Sequence, residues 1–284
     1  MTAPVIDELI ELRGLRFHYR DWASKTPGAP DLVLLHGLTG HARSWDAFAE
    51  AMTDRYRVLA LDQRGHGETG WAAADQYGID QMADDLAAFV KAMGLKDFHL
   101  LGLSMGGMVT MEYAGRRPPE LARCAIIDIG PEIVTAGSSR IQSGIRATDV
   151  FDSKEAAFAV LRAANPIPPE AHHRQRSDNN MMRLEDGRWT FRFDRAFRQG
   201  SALRPRDPQA AWKSCAQIAV PALVMRGELS DILSPEIGQR MIETIADARY
   251  VEVAGSGHAI PLDKPDGFLA ASRAFLEGKQ PVTA

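Results

Sequence analysis

Short, mostly apolar runs closed by polar or glycine-rich turns recur along the chain at residues 32–35, 58–61, 98–101, 124–127, 222–225 and 250–253. Runs of that length without polar alternation mark strands buried on both faces. Between them the spacing turns helical. Residues 44–52 form one such segment and 82–93 another, with Met82, Leu86, Phe89, Val90 and Met93 on one stripe and Asp84, Asp85 and Lys91 off it. Strands alternating with helices predict an α/β fold, a mostly parallel, doubly wound sheet of about eight strands covered on both sides. Residues 9–19 add an antiparallel hairpin turning at Arg13-Gly14.

The alternation breaks at 131–212, a stretch that carries Pro166, Pro168, Pro169, Pro205 and Pro208 and a helical piece at 154–164 before the next strand near Val220. An insertion of that size inside a βα repeat is more economically a lid than an independent domain. The expected organisation is therefore a core of residues 1–130 and 213–284, with residues 131–212 as a helical lid inserted between strands 6 and 7. With 45% hydrophobic and 25% charged residues, the 284-residue chain is an ordinary globular one, which excludes disorder, collagen-like repeats and coiled coil.

One turn carries chemistry. Gly102-Leu103-Ser104-Met105-Gly106-Gly107 follows an apolar strand and precedes a helical pattern, the context of a nucleophile elbow. A sharp turn there strains the serine, and small residues on either side let strand and helix approach. Ser104 then projects over a helix N-terminus, where the positive end of the dipole favours a developing oxyanion.

A hydroxyl is a weak nucleophile at neutral pH and needs a base that is itself oriented by a carboxylate. Among eight histidines, His258 stands in Gly255-Ser256-Gly257-His258 just after a strand, at the same sheet edge as Ser104. His172 and His173 lie in the insertion and are poor rivals, while His36 and His66 sit in other glycine turns. For the carboxylate, Asp231 follows the strand at 222–225 in Gly227-Glu228-Leu229-Ser230-Asp231, with Glu228 the nearest rival and Asp128, which closes the strand at 124–127, the other. The oxyanion donors expected are the amide of Met105 and, from the turn His36-Gly37-Leu38-Thr39-Gly40, that of Leu38.

Taken together, the His36-Gly37 loop, the turn Asp62-Gln63-Arg64-Gly65-His66-Gly67, the Ser104 elbow, the Asp231 loop and Gly257-His258 resemble the α/β-hydrolase family from about Leu9 to Leu276. The resemblance implies a serine nucleophile, then an acid, then a histidine in chain order, here Ser104, Asp231 and His258, with His66 structural. Haloalkane dehalogenases and epoxide hydrolases carry Asp where Ser104 stands. Ring-cleavage carbon–carbon hydrolases usually show Asn where this chain has Leu103, so the elbow looks more like that of the enol-lactonase and esterase branch. Against that branch, the acid loop there commonly reads Gly-x-x-Asp. The expected reaction is hydrolysis of a small carboxylic ester, enol ester or lactone through an acyl-enzyme, with no metal or organic cofactor. Carbon–carbon hydrolysis, acyl transfer, cofactor-free peroxidation and a non-catalytic ligand-binding role are the alternatives.

Charge adds a substrate hint. The total of −4 gives no reason to expect nucleic acid or an anionic membrane as partner, yet residues 131–212 hold 13 basic and 10 acidic side chains, a net of +3, which leaves −7 for the rest. Nine arginines fall between Arg174 and Arg206 against four acids. A solvated face is the plain reading. The sharper one has one or two of them, with Arg188 and Arg192 as candidates, binding a substrate carboxylate. Trp45, Trp189, Phe191 and Phe193 are candidates for the wall of an apolar acyl site, and the alternating Trp189, Phe191 and Phe193 read equally as core of the lid. Cys124 and Cys215 adjoin apolar runs and read as buried free thiols. The chain shows neither a signal peptide pattern nor a membrane-spanning run, so the expectation is a soluble cytoplasmic protein. Oligomeric state leaves no mark on the sequence.

Overall fold

The computed structural model describes residues 5–134, 137, 139, 143, 149–198 and 207–281. Eleven strands are present among them: β1 (Val5–Leu12), β2 (Leu15–Trp22), β3 (Asp31–Leu35), β4 (Arg57–Leu61), β5 (Phe98–Leu103), β6 (Leu121–Ile127), β7 (Val150–Phe151), β8 (Met181–Arg183), β9 (Trp189–Phe191), β10 (Ala222–Gly227) and β11 (Ala248–Val253). Eight form one sheet in the order β1-β2-β4-β3-β5-β6-β10-β11. Only the β1–β2 and β2–β4 pairs are antiparallel; every later pair is parallel. The β1–β2 hairpin turns at Arg13 and Gly14, both at positive φ (51° and 78°), as a tight two-residue hairpin loop requires.

Helices cover both faces. Alternate residues of the central strands divide between two cores. On one face Val33, Leu59, Leu100, Ile126 and Val224 pack with α2 (Ile79–Met93) and α3 (Met105–Gly115). On the other, Leu34, Ala60, Leu101, Ala125 and Met225 pack with α1 (Asp46–Met52) and a C-terminal helix, Pro265–Leu276. Cys124 and Cys215 are buried and form no disulfide, and burial pushes the Cys124 thiol up to about 12.

Between β6 and β10 lie α4 (Lys154–Ala164) and α5 (Glu170–Asn179). The same stretch also forms a three-stranded antiparallel sheet in the order β7-β9-β8, which its pattern did not suggest. Strands of two or three residues are too short to show alternation. Trp189 and Phe191 pack there with Phe151, Ala157 and Met181, so they form the insertion's own small core. The insertion is tied to the body through the turn after β4: Gly67 donates to the Arg192 carbonyl at 2.9 Å and Asp194 to that of Gly65 at 2.7 Å, and the Tyr77 hydroxyl donates to the Asp194 carboxylate. α6 (Pro208–Gln217), α7 (Pro235–Thr244) and α8 (Pro265–Leu276) follow in the body.

Candidate active site

Ser104 ends β5 with φ 53° and ψ −113°, a conformation L-residues rarely hold. Its neighbours make the turn possible: a Cβ on Gly102 would lie 2.1 Å from the Gly106 carbonyl oxygen, and one on Gly106 2.3 Å from that of Leu35. Only glycine fits at either position. The Ser104 amide donates to Ile127 of β6 at 2.9 Å, and α3 starts at the next residue.

His258 follows β11 and points its Nε2 at the Ser104 hydroxyl, 2.9 Å away. Its Nδ1 meets a carboxylate oxygen of Asp128 at 2.7 Å. With both ring nitrogens engaged, the residue that orients His258 is Asp128 and not the expected Asp231. The reason lies in the turn after β10. The Gly-x-x-Asp position falls on Ser230, one residue early, and the Ser230 hydroxyl donates to the Asp128 oxygen that faces His258. The other Asp128 oxygen accepts the Gly227 amide at 3.0 Å. Asp128 is fully buried and sits at φ 49°, which turns its side chain back over the end of the sheet.

Gly37 abuts Ser104: a Cβ there would be 3.2 Å from the serine's own. Among the described residues no acceptor meets the amides of Leu38 or Met105, so both are available as donors beside Ser104. His36 holds this loop in shape. Burial lowers its pKa to about 4, so the ring is neutral near pH 7. Its Nε2 accepts the Gln63 amide at 3.0 Å, which leaves Nδ1 to carry the proton toward the Gly37 carbonyl at 2.8 Å. His66 is likewise scaffold: it is fully buried and burial lowers its pKa to about 3.

A family model for the α/β hydrolase fold matches residues 30–265. The chain belongs to the α/β hydrolase fold family. Among curated relatives, a 3-hydroxybutyrate-oligomer hydrolase of Cupriavidus necator is 28% identical over 273 residues, 92% of each chain. An N-formylmaleamate deformylase of Pseudomonas putida is 28% identical over 268 residues, covering 94% of this chain and 95% of its own. The crystal structure of E-2-(acetamidomethylene)succinate hydrolase superposes with a TM-score of 0.87 at 22% identity, over 96% of this chain and all of that one. This α/β-hydrolase chain is a hydrolase.

At the mouth of this hydrolase site is a cavity of about 120 Å³, lined among others by Ser104, His258, Leu38, Trp45, Arg176 and Leu262. Trp45 reaches it from the body, packed behind on Phe48 and Phe268. Neither Arg188 nor Arg192 reaches it. Arg188 lies in the β8–β9 turn and pairs with Asp186 at 2.7 Å, both well exposed. Arg192 donates through Nε to the Met181 carbonyl at 3.1 Å and lines a separate polar cleft with Asp62, Glu68 and Lys154. Arg204 and Arg206 lie outside the described residues. The insertion contributes instead His172, Gln175, Arg176 and Asn179, whose spacing places them on one face of α5. That periodicity was visible in the sequence; which face turned inward was not.

Proposed function

We propose that the protein is a serine hydrolase of small carboxylic esters, enol esters or lactones. Ser104 is the nucleophile, His258 the general base and acid, Asp128 the carboxylate that orients His258, and the Leu38 and Met105 amides the oxyanion donors. The observation that carries this reading is the unbroken chain from Ser104 Oγ through His258 to Asp128, at 2.9 and 2.7 Å. His258 Nε2 takes the serine proton as Oγ bonds to the carbonyl carbon; Nδ1–H donates to Asp128, which steadies the imidazolium. Collapse of the tetrahedral intermediate expels the alcohol with that proton and leaves an acyl-serine. A water deprotonated by the same nitrogen then releases the acid and restores Ser104.

The insertion at 131–212 serves as a lid over the core of 1–130 and 213–284, except that the boundary at 212 cuts α6, which packs wholly in the body from Pro208; the role is supported by the α5 side chains at the cavity. The cavity is similar in size to one that holds a single benzene ring, which favours a small acyl or alcohol group. The hydrolase names of the relatives support the reaction type.

A fluorophosphonate probe tests the assignment: labelling of folded wild-type protein at Ser104, absent from Ser104→Ala, is the expected result. Labelling that persists in Ser104→Ala would overturn it. Rates on a panel of neutral esters, acidic esters and lactones then rank the substrates.

A further inference from the structure

α5 carries two arginines with opposite fates. Arg174 is exposed and paired with Glu155 and Glu170. Arg176, two residues on, faces the cavity that holds Ser104 and His258, and among the described residues no hydrogen bond or ion pair meets its guanidinium. The carboxylate that favours its charge is Asp263, and that group is already committed: its oxygens accept the Asn165 side-chain amide at 2.8 Å and the Gly257 backbone amide at 2.9 Å. The histidines Arg176 acts upon, His36, His41 and His173, have their pKa values lowered to about 4, burial being the first cause. They offer no compensating negative charge. Burial likewise lowers the pKa of half-buried Arg176 itself, as expected of a cation with reduced access to water.

A guanidinium has five donors in a planar fork that matches a carboxylate. Held in the reaction cavity without an acceptor, it is an anion subsite awaiting its anion. We infer that Arg176 binds a carboxylate of the substrate, and that the preferred substrates are half-esters or lactones with a free carboxylate on the part remote from the scissile carbonyl. The carboxylate takes no part in bond making; it fixes the register of the substrate so that its carbonyl reaches Ser104 and the Leu38 and Met105 amides. The inference rests on the serine-hydrolase reading for the reaction, and on the cavity alone for the anion.

The test is the ratio of kcat/KM for 4-nitrophenyl hemisuccinate to that for 4-nitrophenyl butyrate. Arg176→Gln is expected to lower this ratio roughly tenfold to a hundredfold, the range of hydrogen bonds to charged groups, and Arg176→Lys to restore part of it. A ratio unmoved by Arg176→Gln overturns the inference. Binding of succinate to Ser104→Ala, followed by calorimetry, separates the two readings because it needs no turnover. Binding that weakens by a similar factor when Arg176→Gln is added supports the subsite even if the nucleophile has been misassigned. Binding that is absent, or equal with and without Arg176, overturns the subsite while leaving the nucleophile assignment to the labelling experiment.

Discussion

Two buried carboxylate–imidazole pairs lie at the same edge of the sheet. Asp62 follows β4 and meets His18 Nδ1 at 2.7 Å; Asp128 follows β6 and meets His258 Nδ1 at the same distance. What separates them is the second ring nitrogen. That of His18 meets another acid, Asp7, at 3.1 Å, whereas that of His258 faces the Ser104 hydroxyl in a cavity. An imidazole held between two acids donates from both nitrogens, which leaves neither of them to exchange a proton with a substrate, and it serves as a strut. One held between an acid and a hydroxyl is placed to shuttle a proton, the role proposed for His258. Asp62 also accepts the amides of Ala42 and Glu68, so it ties the oxyanion side of the site to the turn that carries the insertion.

The comparison breaks most sharply at the reactive pair. Ser104→Ala should lower kcat by about 10⁶-fold, read with any ester the wild type turns over. Asp128→Asn should lower it by about 10⁴-fold through loss of the correct His258 tautomer, while Asp231→Asn stays within about twofold per mole of folded enzyme, the range of changes away from a site. Equal losses in the two Asn variants would return the acid to Asp231. The strut should fail differently. Asp62→Asn breaks a buried pair and should cost about 3–5 kcal/mol of stability, measured by urea unfolding, with the Ser104 labelling rate of the remaining folded protein far less affected than in Asp128→Asn.

The smallest effect is a gradual one with pH. Burial holds His36 and His41 to about 4 and His66 to about 3, from an ordinary 6.5. Their contribution to stability is full above pH 6.5 and is lost as pH falls toward those folded values, because the unfolded chain takes up protons first. For Asp62, burial alone would raise the pKa, but the His18 hydrogen bond and the charges of His36 and His18 outweigh it and bring it to about 2 from 3.8. That contribution disappears only between pH 3.8 and 2. The urea midpoint should therefore decline in two stages on acidification, and a flat midpoint from pH 6.5 to 4 would contradict the neutral buried histidines.

Much of this was legible in the chain. The apolar runs located the parallel strands, since strands buried on both faces leave no polar positions, and the elbow was recognisable because Gly102 and Gly106 are required by contact with backbone. Asp128 stands in the sequence only as a rival to Asp231, and what singles it out is topology. β6 lies between β5 and β10 in the sheet, so its end falls beside both the nucleophile and the Ser230 turn, and strand order is a long-range fact that no local spacing encodes. The one-residue offset of Asp231 from the Gly-x-x-Asp position was the local sign that something else fills that role. Which arginine faces the cavity is hidden from the sequence for a related reason. Helix spacing groups Arg176 with His172 and Gln175, but only packing decides whether that group faces the cavity or water.

The hydrogen bond from the Ser104 amide to Ile127 has a mechanical consequence. Ile127 immediately precedes Asp128, so the nucleophile hangs by its own backbone from the strand that ends in the acid. Any tilt or slide of β6 carries both groups together. His258, which arrives from the far end of the chain after β11, joins the other two through its side chain. In the proposed reaction the ring that must serve first the serine and then the incoming water is therefore the one group of the three that β6 does not carry.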